Sequence, residues 1–221
     1  MADNRMTKKR IMDHWRYSWF KYALLLIVTL LGVDLLFAVT AYRPSEDRRL
    51  QVYLCNGYAD ATALSQDLWD ELKAACPEQE QLIVQNIDLT GGDMNARIQF
   101  STYIAVHEGD VCLLPAAEAY ALAEESAELV FVELTPYIES GIIVADGIDL
   151  TRGEMDASDG TRGLYAIPAD MLTGLGDYGC DPSGGMLVAM AYGGNDETAV
   201  TLIGQMLERF RLDSGAHMLY D

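Results

Sequence analysis

Polar and small residues that could hold a small ligand follow three strand-like segments of the chain. The candidates are Asn56, Gly57, Tyr58 and Asp60 after the first segment, Gly91 and Gly92 after the second, and Pro115 after the third. In a parallel sheet the carboxyl ends of the strands share one edge, where loops lead into helix amino termini and ligands bind. The sequence therefore predicts one binding crevice. Ordinary turn and helix-cap chemistry is the alternative for these residues, and Tyr58 is the candidate that it explains least.

Residue types for nucleophilic or acid–base catalysis are sparse in this chain. His107 lies near an expected helix end, and His217 lies close to Ser214 in the terminal tail. The sequence has no GxSxG, HExxH, P-loop or GxGxxG pattern. We therefore predict that the protein is not an enzyme and uses no cofactor. A cell-surface hydrolase stays open as an alternative, because distant residues could bring Ser, His and acid side chains into one pocket.

The acidic segment 146–159 contains the oxygen ligands that calcium prefers. Its acids are Asp146, Asp149, Glu154, Asp156 and Asp159. An EF-hand loop places acids at alternate positions, glycine at the sixth and glutamate at the twelfth, and no frame of this segment meets all three conditions. We predict a solvated polar loop here and no metal site.

A single charged residue, Asp34, interrupts an otherwise apolar run over residues 23–42. A helix of this length spans about 30 Å, which matches the hydrocarbon core of a bilayer, so the run predicts a transmembrane helix. An acid near the middle of a span costs about 2.5 to 3.5 kcal/mol and indicates a function. We predict that Asp34 contacts a membrane-protein partner, pairing with a polar group on another helix. The alternative is that this leucine-rich span tolerates the acid.

The flanks of the apolar run predict its orientation. Six lysines and arginines lie within residues 1–22 and three arginines lie within 43–49, which favours a cytoplasmic amino terminus in the cell membrane. A cleaved signal peptide is the alternative, although its apolar region usually has only about 7 to 15 residues. The expected organisation is a cytoplasmic basic segment (1–22), a single-pass span (23–42), a linker (43–49), an extracytoplasmic domain (50–212) and a carboxyl-terminal tail (213–221).

The expected extracytoplasmic part is strongly acidic. After residue 42 the chain has nine lysines and arginines against 31 aspartates and glutamates, which argues against nucleic acid and anionic lipid as partners. Its cysteines, Cys55, Cys76, Cys112 and Cys180, form no CxxC pair typical of zinc sites. Cys55 and Cys112 lie within strand-like runs. They are expected as buried small residues or, if the two strands are neighbours, as a disulfide.

Hydrophobic spacing after residue 49 alternates between strand-like and helix-like segments. Strands are predicted over 50–55, 81–89 and 110–114, and helices over 60–76, 93–107 and 116–129. Asp60 and Asp93 precede helices as caps, and Pro77 and Gly109 end them. Strands that alternate with helices of this length indicate βαβ crossovers. We therefore predict a three-layer α/β domain with a mostly parallel sheet after the transmembrane helix.

The second half of the chain has a less regular pattern. Short β-branched segments occupy 130–134 and 142–145, a polar loop spans 146–163, and residues 163–168 are expected as a strand. Residues 172–185 contain six glycines or prolines and are expected to be irregular. A fully apolar strand is predicted over 186–192. Asn195 or Asp196 is then expected to cap a final helix that continues through Phe210.

The order of these pieces resembles the extracellular solute-binding proteins of ABC importers, which have the type 2 periplasmic-binding-protein fold. The passages that carry the resemblance are 110–115 (DVCLLP), 129–138 (LVFVELTPYI), 159–168 with its DG and GLYAIP, and the strand, small-residue turn and helix of 186–210. The resemblance implies a binding protein for a small molecule, associated with a transporter, and a domain that resembles one lobe of the family's fold.

The chain departs from this family in one respect. Full-length members have two lobes, but here about 20 residues separate the strand at 163–168 from the strand at 186–192, which is short enough to be a loop. A single lobe has half a cleft. We therefore expect a membrane-anchored, extracytoplasmic, non-enzymatic interaction module. The alternative is a genuine solute receptor that completes its cleft by dimerisation or with a partner lobe.

Overall fold

The computed structural model of the protein describes residues 8–40, 44–124, 126–192 and 194–211. The chain divides into two compact units, residues 1–43 and residues 44–221. The predicted tail at 213–221, with His217, lies outside the described residues.

The first unit contains one long helix, α1 (Lys8–Thr40). Its part from Ser18 to Thr40 is 23 residues long and apolar enough to cross a bilayer, and it is the one helix among the described residues with that length and composition. The hydroxyls of Thr29 and Thr40 donate to the carbonyls of Leu25 and Leu36, at 2.8 and 2.7 Å. These bonds hide both hydroxyls inside the helix surface, which suits an apolar environment.

The second unit begins with a short 3-10 helix (Glu46–Arg48) and alternates strands with helices. Its strands are β1 (Arg49–Leu54), β2 (Gln81–Asn86), β3 (Val111–Pro115), β4 (Glu154–Asp156), β5 (Arg162–Leu164), β6 (Ile167–Pro168) and β7 (Gly185–Ala189). Its α-helices are α2 (Ala61–Ala75), α3 (Met94–Ala105), α4 (Ala116–Leu122), α5 (Thr135–Glu139) and α6 (Asp196–Phe210). Four further 3-10 helices lie at Ala127–Leu129, Leu150–Gly153, Ala169–Met171 and Thr173–Tyr178.

The central sheet has five strands in the order β2-β1-β3-β7-β6. β1 pairs in parallel with β2 and with β3, with Val52 opposite both Val84 and Val111. β7 is antiparallel to β3 and to β6. Four of the five strands therefore run in one direction, and only β7 opposes them. A second, two-stranded sheet pairs β4 with β5.

Helices cover both faces of the central sheet because the strand residues alternate between two apolar cores. On one face Leu50, Val52 and Leu54 are buried with the apolar stripes of α2 and α6. On the other face Tyr53 and Cys55 are buried with Phe100 of α3 and Ala119 of α4. The period of two along β1 thus divides its side chains between two helix layers. The predicted fold class, a three-layer α/β domain with a mostly parallel sheet, is confirmed.

Several predictions for the second half are wrong in detail. The helix predicted over 116–129 ends at Leu122, and residues 130–134 form no strand beyond an isolated bridge between Phe131 and Met190. Residues 142–145 form no strand either. The chain turns after Leu122 because Phe131 must enter the core beside β7, where the amide of Val132 donates to the carbonyl of Ala189 at 2.9 Å. Tertiary packing here overrides helix propensity.

The polar segment 146–163 is also more ordered than predicted. It contains the 3-10 helix Leu150–Gly153 and the β4–β5 hairpin. The strand predicted over 163–168 is divided between two sheets, because β5 pairs with β4 whereas β6 pairs with β7. The connection from β6 to β7 consists of residues 169–184, mostly 3-10 turns, and so is a loop, as the short spacing predicts.

Cys55 and Cys112 lie on neighbouring strands and the same sheet face, yet their register separates them. Tyr53, not Cys55, is opposite Cys112. An offset of two residues along strands about 4.8 Å apart places the two Cα atoms about 8 Å apart, beyond the roughly 6.8 Å that a disulfide allows. Both are fully buried free thiols, and burial raises the pKa of each. This geometry fits the interpretation of Cys55 and Cys112 as buried small residues and does not fit a disulfide between them.

Candidate functional site

Residues predicted to bind a ligand at the carboxyl edge of the sheet lie in the loop after β1. The side chain of Asn56 is buried, and its Nδ2 donates to the carbonyls of Asp181 and Ser183 at 3.0 and 3.1 Å. Asp60 is the N-cap of α2 and accepts from the amides of Thr62 and Ala63 at 3.1 Å. The side chains of Asn56 and Asp60 are thus hydrogen-bonded to the β6–β7 connection and to the first turn of α2, respectively.

Tyr58 differs from its neighbours because its side chain is 74% exposed. Gly57, directly before it, has a φ of +113°, a conformation that glycine adopts without a steric penalty. The loop therefore turns sharply and presents the Tyr58 ring to solvent. Of the carboxyl-edge candidates, Tyr58 has the side chain most available to a partner.

The remaining candidates lie at two places along the same edge. Gly91 and Gly92 follow β2 in the turn where the amide of Thr90 donates to Asp88, and Gly92 has a φ of +71°. Pro115 ends β3 opposite Gly185 of β7 and precedes α4. Pro115 and Asn56 therefore flank the start of β7, whereas the two glycines lie beyond the edge strand β2.

An open groove of about 390 Å³ lies in the connection between β6 and β7. Its lining comprises Asp170, Thr173, Gly176, Gly179, Cys180, Asp181, Pro182 and Ser183. Asn56 reaches this wall through its bonds to the carbonyls of Asp181 and Ser183. The Asp170 carboxylate is already engaged by Arg152 at 2.5 Å and by the Gly184 amide at 2.9 Å. The groove thus offers mainly backbone and small side chains.

A second cavity, of about 280 Å³, lies at the amino edge of the sheet, where sequence reasoning places no site. Its walls come from the start of β1, the loop before β3, the loop after β7 and the N-cap of α6. They comprise Glu46, Arg49, Gln51, Val106, His107, Glu108, Gly109, Asp110, Tyr192 and Asn195. We name this the amino-edge cavity.

A buried polar network holds one wall of the amino-edge cavity. Asp110 is 5% exposed and accepts from the amide of Gln51 at 2.7 Å and from Nδ2 of Asn195 at 3.0 Å. The same Nδ2 lies 3.0 and 3.1 Å from the carbonyls of Glu46 and Arg49. Burial raises the pKa of Asp110, and these hydrogen bonds oppose the increase. Asn195 is the N-cap residue of α6, but its side chain makes no capping bond and joins three segments instead.

His107 and Tyr192 form an aromatic wall. Their rings stack with centroids 4.8 Å apart and planes 25° apart. His107 has a φ of +59° and ends α3 in a Schellman motif, since its amide donates to Ile104 and the amide of Glu108 donates to Tyr103. Glycine usually takes this position. The hydroxyl of Tyr192 is buried and has no hydrogen-bond partner among the described residues, and burial raises its pKa.

Arg49 is positioned by its neighbour on the same strand. We assign the Gln51 carboxamide to the orientation that satisfies both of its polar atoms: its oxygen then accepts from Nε and Nη2 of Arg49 at 3.0 and 2.8 Å, and its nitrogen donates to the Tyr53 hydroxyl at 2.8 Å. The Tyr53 ring can occupy this position only because residue 109 is glycine. A Cβ atom on residue 109 would lie 2.5 Å from the Tyr53 ring.

Comparison with solved structures finds a partial likeness. The chain is similar to part of a solute-binding protein. That protein is the "Extracellular solute-binding protein family 1 from Alicyclobacillus acidocaldarius subsp. acidocaldarius DSM 446", with 19% sequence identity to this chain and a TM-score of 0.39. The match covers 55% of this chain and 28% of that protein, so it spans little more than a quarter of its length. No protein-family profile and no curated protein matches the chain.

Sequence reasoning missed the amino-edge cavity because its residues come from three separated segments, 46–51, 106–110 and 192–195. His107 is the one residue of this cavity that the sequence singles out, because it lies near an expected helix end, two residues before Gly109. For the hydrolase alternative, the lining of this cavity brings His107 together with acids but with no serine, threonine or cysteine. The other histidine named for that alternative, His217, lies outside the described residues.

Proposed function

We propose that the protein is a membrane-anchored, extracytoplasmic, non-enzymatic interaction module that works beside a membrane-protein partner. One observation carries this proposal: an exposed apolar helix segment of 23 residues, Ser18–Thr40, belongs to a different compact unit from the three-layer α/β domain. A helix of that length rises about 34 Å, sufficient to span the hydrocarbon core. The cations before the segment favour a cytoplasmic amino terminus.

Asp34 is the residue that we assign to the partner. It lies six residues before Thr40, so it is about 9 Å from that end of the apolar segment along the helix axis. This depth is shallower than the centre of the span, which lowers the cost of burying a carboxylate but does not remove it. A polar group on a second membrane helix would offset the remaining cost.

The second contact surface that we propose is the carboxyl edge of the sheet. Tyr58 is exposed there, its carbonyl lies 3.9 Å from the Cβ position of Gly179 in the lining of the groove, and Asn56 and Asp60 hold its loop in place. An exposed aromatic ring on a loop with fixed ends is typical of an interaction surface. In this proposal Gly57, Gly91, Gly92 and Pro115 shape the edge, and a small ligand or a partner loop would contact Tyr58.

Cysteine labelling on intact cells tests the orientation. The four native cysteines are buried, so a membrane-impermeant maleimide is expected to report only on introduced thiols. We expect Ser101→Cys, on the exposed surface of α3, to react on intact cells, and Asn4→Cys to react only after the membrane is permeabilised. The reverse labelling pattern, or release of the protein by alkaline carbonate, would contradict the proposed anchoring.

Affinity purification of the full chain in mild detergent tests the partner. We expect Asp34→Leu to reduce co-purification of a membrane protein at least tenfold, because the substitution removes the polar group that needs pairing. Leu35→Ala is the matched control in the same helix and should retain the partner. Tyr58→Ala tests the carboxyl edge in the same assay. If Asp34→Leu and Leu35→Ala retain identical partners, the assignment of Asp34 is wrong.

A further inference from the structure

The outer face of α3 carries an exposed row of apolar and small side chains. Met94 and Ile98 are 68% and 58% exposed, whereas Phe100 of the same helix is buried in the core. Met94, Ile98, Ser101 and Ala105 are all exposed and follow one another at intervals of three or four residues, so they form one stripe along the helix. We name these four residues the α3 stripe. A solvated helix normally carries charged and polar residues on this side.

The same helix lacks negative charge in a domain that is strongly acidic. After residue 42 the chain has 31 aspartates and glutamates against nine lysines and arginines, an excess of 22 negative charges. The helices α2 and α6 contain three acids each, but α3 contains none. Its one charged side chain, that of Arg97, pairs with Glu118 of α4 at 2.7 Å. The α3 stripe is therefore an uncharged strip on an acidic domain.

This distribution of charge discriminates between kinds of partner. A basic partner would bind the acidic surfaces of the domain, where opposite charges attract. An anionic lipid surface is extended, so it would also meet the acids around the strip and be repelled by them. A compact partner of like charge is repelled wherever carboxylates face carboxylates, so it approaches closely only through a face without them. A second copy of this chain is such a partner.

The order of side chains along the α3 stripe is also self-complementary. In a two-fold symmetric pair of antiparallel helices, a residue that contacts a second residue in the other copy is contacted by it in return. Pairing Met94 with the second copy's Ala105 places Ile98 opposite Ser101, because both pairs have the same midpoint along the helix. Each large side chain then faces a small one, which lets the two helices pack closely.

We propose that the α3 stripe is the contact surface of a homodimer, in which α3 packs antiparallel against α3 of a second copy. The helix has 12 residues, so the contact is about 18 Å long and about 10 Å wide, smaller than the roughly 800 Å² per partner that stable interfaces bury. The dimer is therefore weak and exchanges, and Ser101 remains open to small reagents between encounters. The contact involves only the domain from residue 44 onward and does not depend on a membrane partner.

Disulfide cross-linking of the purified full-length protein in detergent, with copper phenanthroline as oxidant, tests the dimer. The test variant is Met94→Cys/Ala105→Cys, whose two thiols lie about 16 Å apart along one helix and so cannot bridge within one copy. The native cysteines are buried and do not compete. The matched control, Glu197→Cys/Glu208→Cys, has the same spacing at exposed positions of α6 and should give at least fivefold less covalent dimer. Equal yields from the two variants, or no dimer from the first, would overturn the proposal.

Ionic strength separates this dimer from association through opposite charges. Raising the NaCl concentration from about 50 to about 500 mM should increase the yield of the Met94→Cys/Ala105→Cys dimer at least twofold, because screening reduces the repulsion between two acidic domains. Salt bridges between partners would weaken under the same change. A yield that falls with salt would therefore contradict contact through an uncharged face.

A carboxylate in the middle of the α3 stripe should prevent the contact. Added to Met94→Cys/Ala105→Cys, Ile98→Glu is expected to lower the dimer yield at least fivefold, whereas Ile98→Leu, which keeps an apolar side chain, should retain it. Because Ile98 is 58% exposed, neither substitution should shift the thermal unfolding midpoint. Undiminished cross-linking with Ile98→Glu would exclude the stripe from the contact. In cell membranes, an adduct of Met94→Cys/Ala105→Cys with a mass other than that of two copies would show that a different protein covers the stripe and would overturn the homodimer.

Discussion

Replacing Asn195 with leucine should lower the free energy of unfolding by about 3 kcal/mol, because it leaves the buried Asp110 carboxylate with one fewer donor. The Asn195 amide also joins the carbonyls of Glu46 and Arg49 to the start of α6. All of these acceptors lose a partner at once. The measurement is urea unfolding of the full chain in a non-denaturing detergent, followed by circular dichroism.

The control and the pH dependence make this prediction specific. Asn95→Leu, at an exposed position of α3, should change stability by less than about 0.5 kcal/mol.

Because burial raises the pKa of Asp110, the native state holds its proton more tightly than the unfolded chain does. The contribution of Asp110 to stability therefore falls as pH rises from about 3.8 through its native pKa. The loss caused by Asn195→Leu should shrink at pH 4 compared with pH 7, and a loss independent of pH would contradict this account.

Gly153→Ala is expected to destabilise the domain by about 3 kcal/mol through overpacking. A Cβ at this position would lie 1.8 Å from the carbonyl oxygen of Ala166 and 3.0 Å from Leu164 Cδ1. The carbonyl of Gly153 also accepts from the amides of Tyr165 and Ala166 at 3.0 and 3.2 Å. The added methyl group must push β5 and β6 away and stretch these bonds. Thermal and urea unfolding of the full chain measure the effect.

Substitutions at two further glycines show whether the space around the added Cβ or helix propensity determines the change in stability. Gly176→Ala is the matched control, because nothing lies within 4 Å of its Cβ position, and it should be neutral or slightly stabilising. Gly204→Ala lies within α6, where propensity alone would favour alanine by about 1 kcal/mol. Its Cβ would lie 2.4 Å from the carbonyl of Ile142, so we expect destabilisation instead. Stabilisation by Gly204→Ala would show that the 142–143 segment moves freely.

The comparison of Asn56 with Asn195 shows how far residue patterns predict a site. Both follow strands and precede helices; the sequence predicts Asn56 as a ligand contact, with a turn role as the alternative, and Asn195 as a possible helix cap. Asn56 donates to Asp181 and Ser183, more than 120 residues away, and Asn195 donates to Asp110, 85 residues away. Local sequence reports the turn in which a residue lies but not the distant carbonyl that its side chain meets. The distant contact depends on strand order, which local patterns do not encode.

The sequence by itself determined the apolar helix, the three parallel strands β1 to β3, the helices α2, α3 and α6, and the three-layer class, because burial imposes local periods of two and 3.6 residues. Only the tertiary structure decided that β7 runs antiparallel, that residues 162–168 divide between two sheets, and that Cys55 and Cys112 are offset. It also decided where the amino-edge cavity lies. These features arise from pairings between distant segments, whose direction and register leave no periodic trace in the chain.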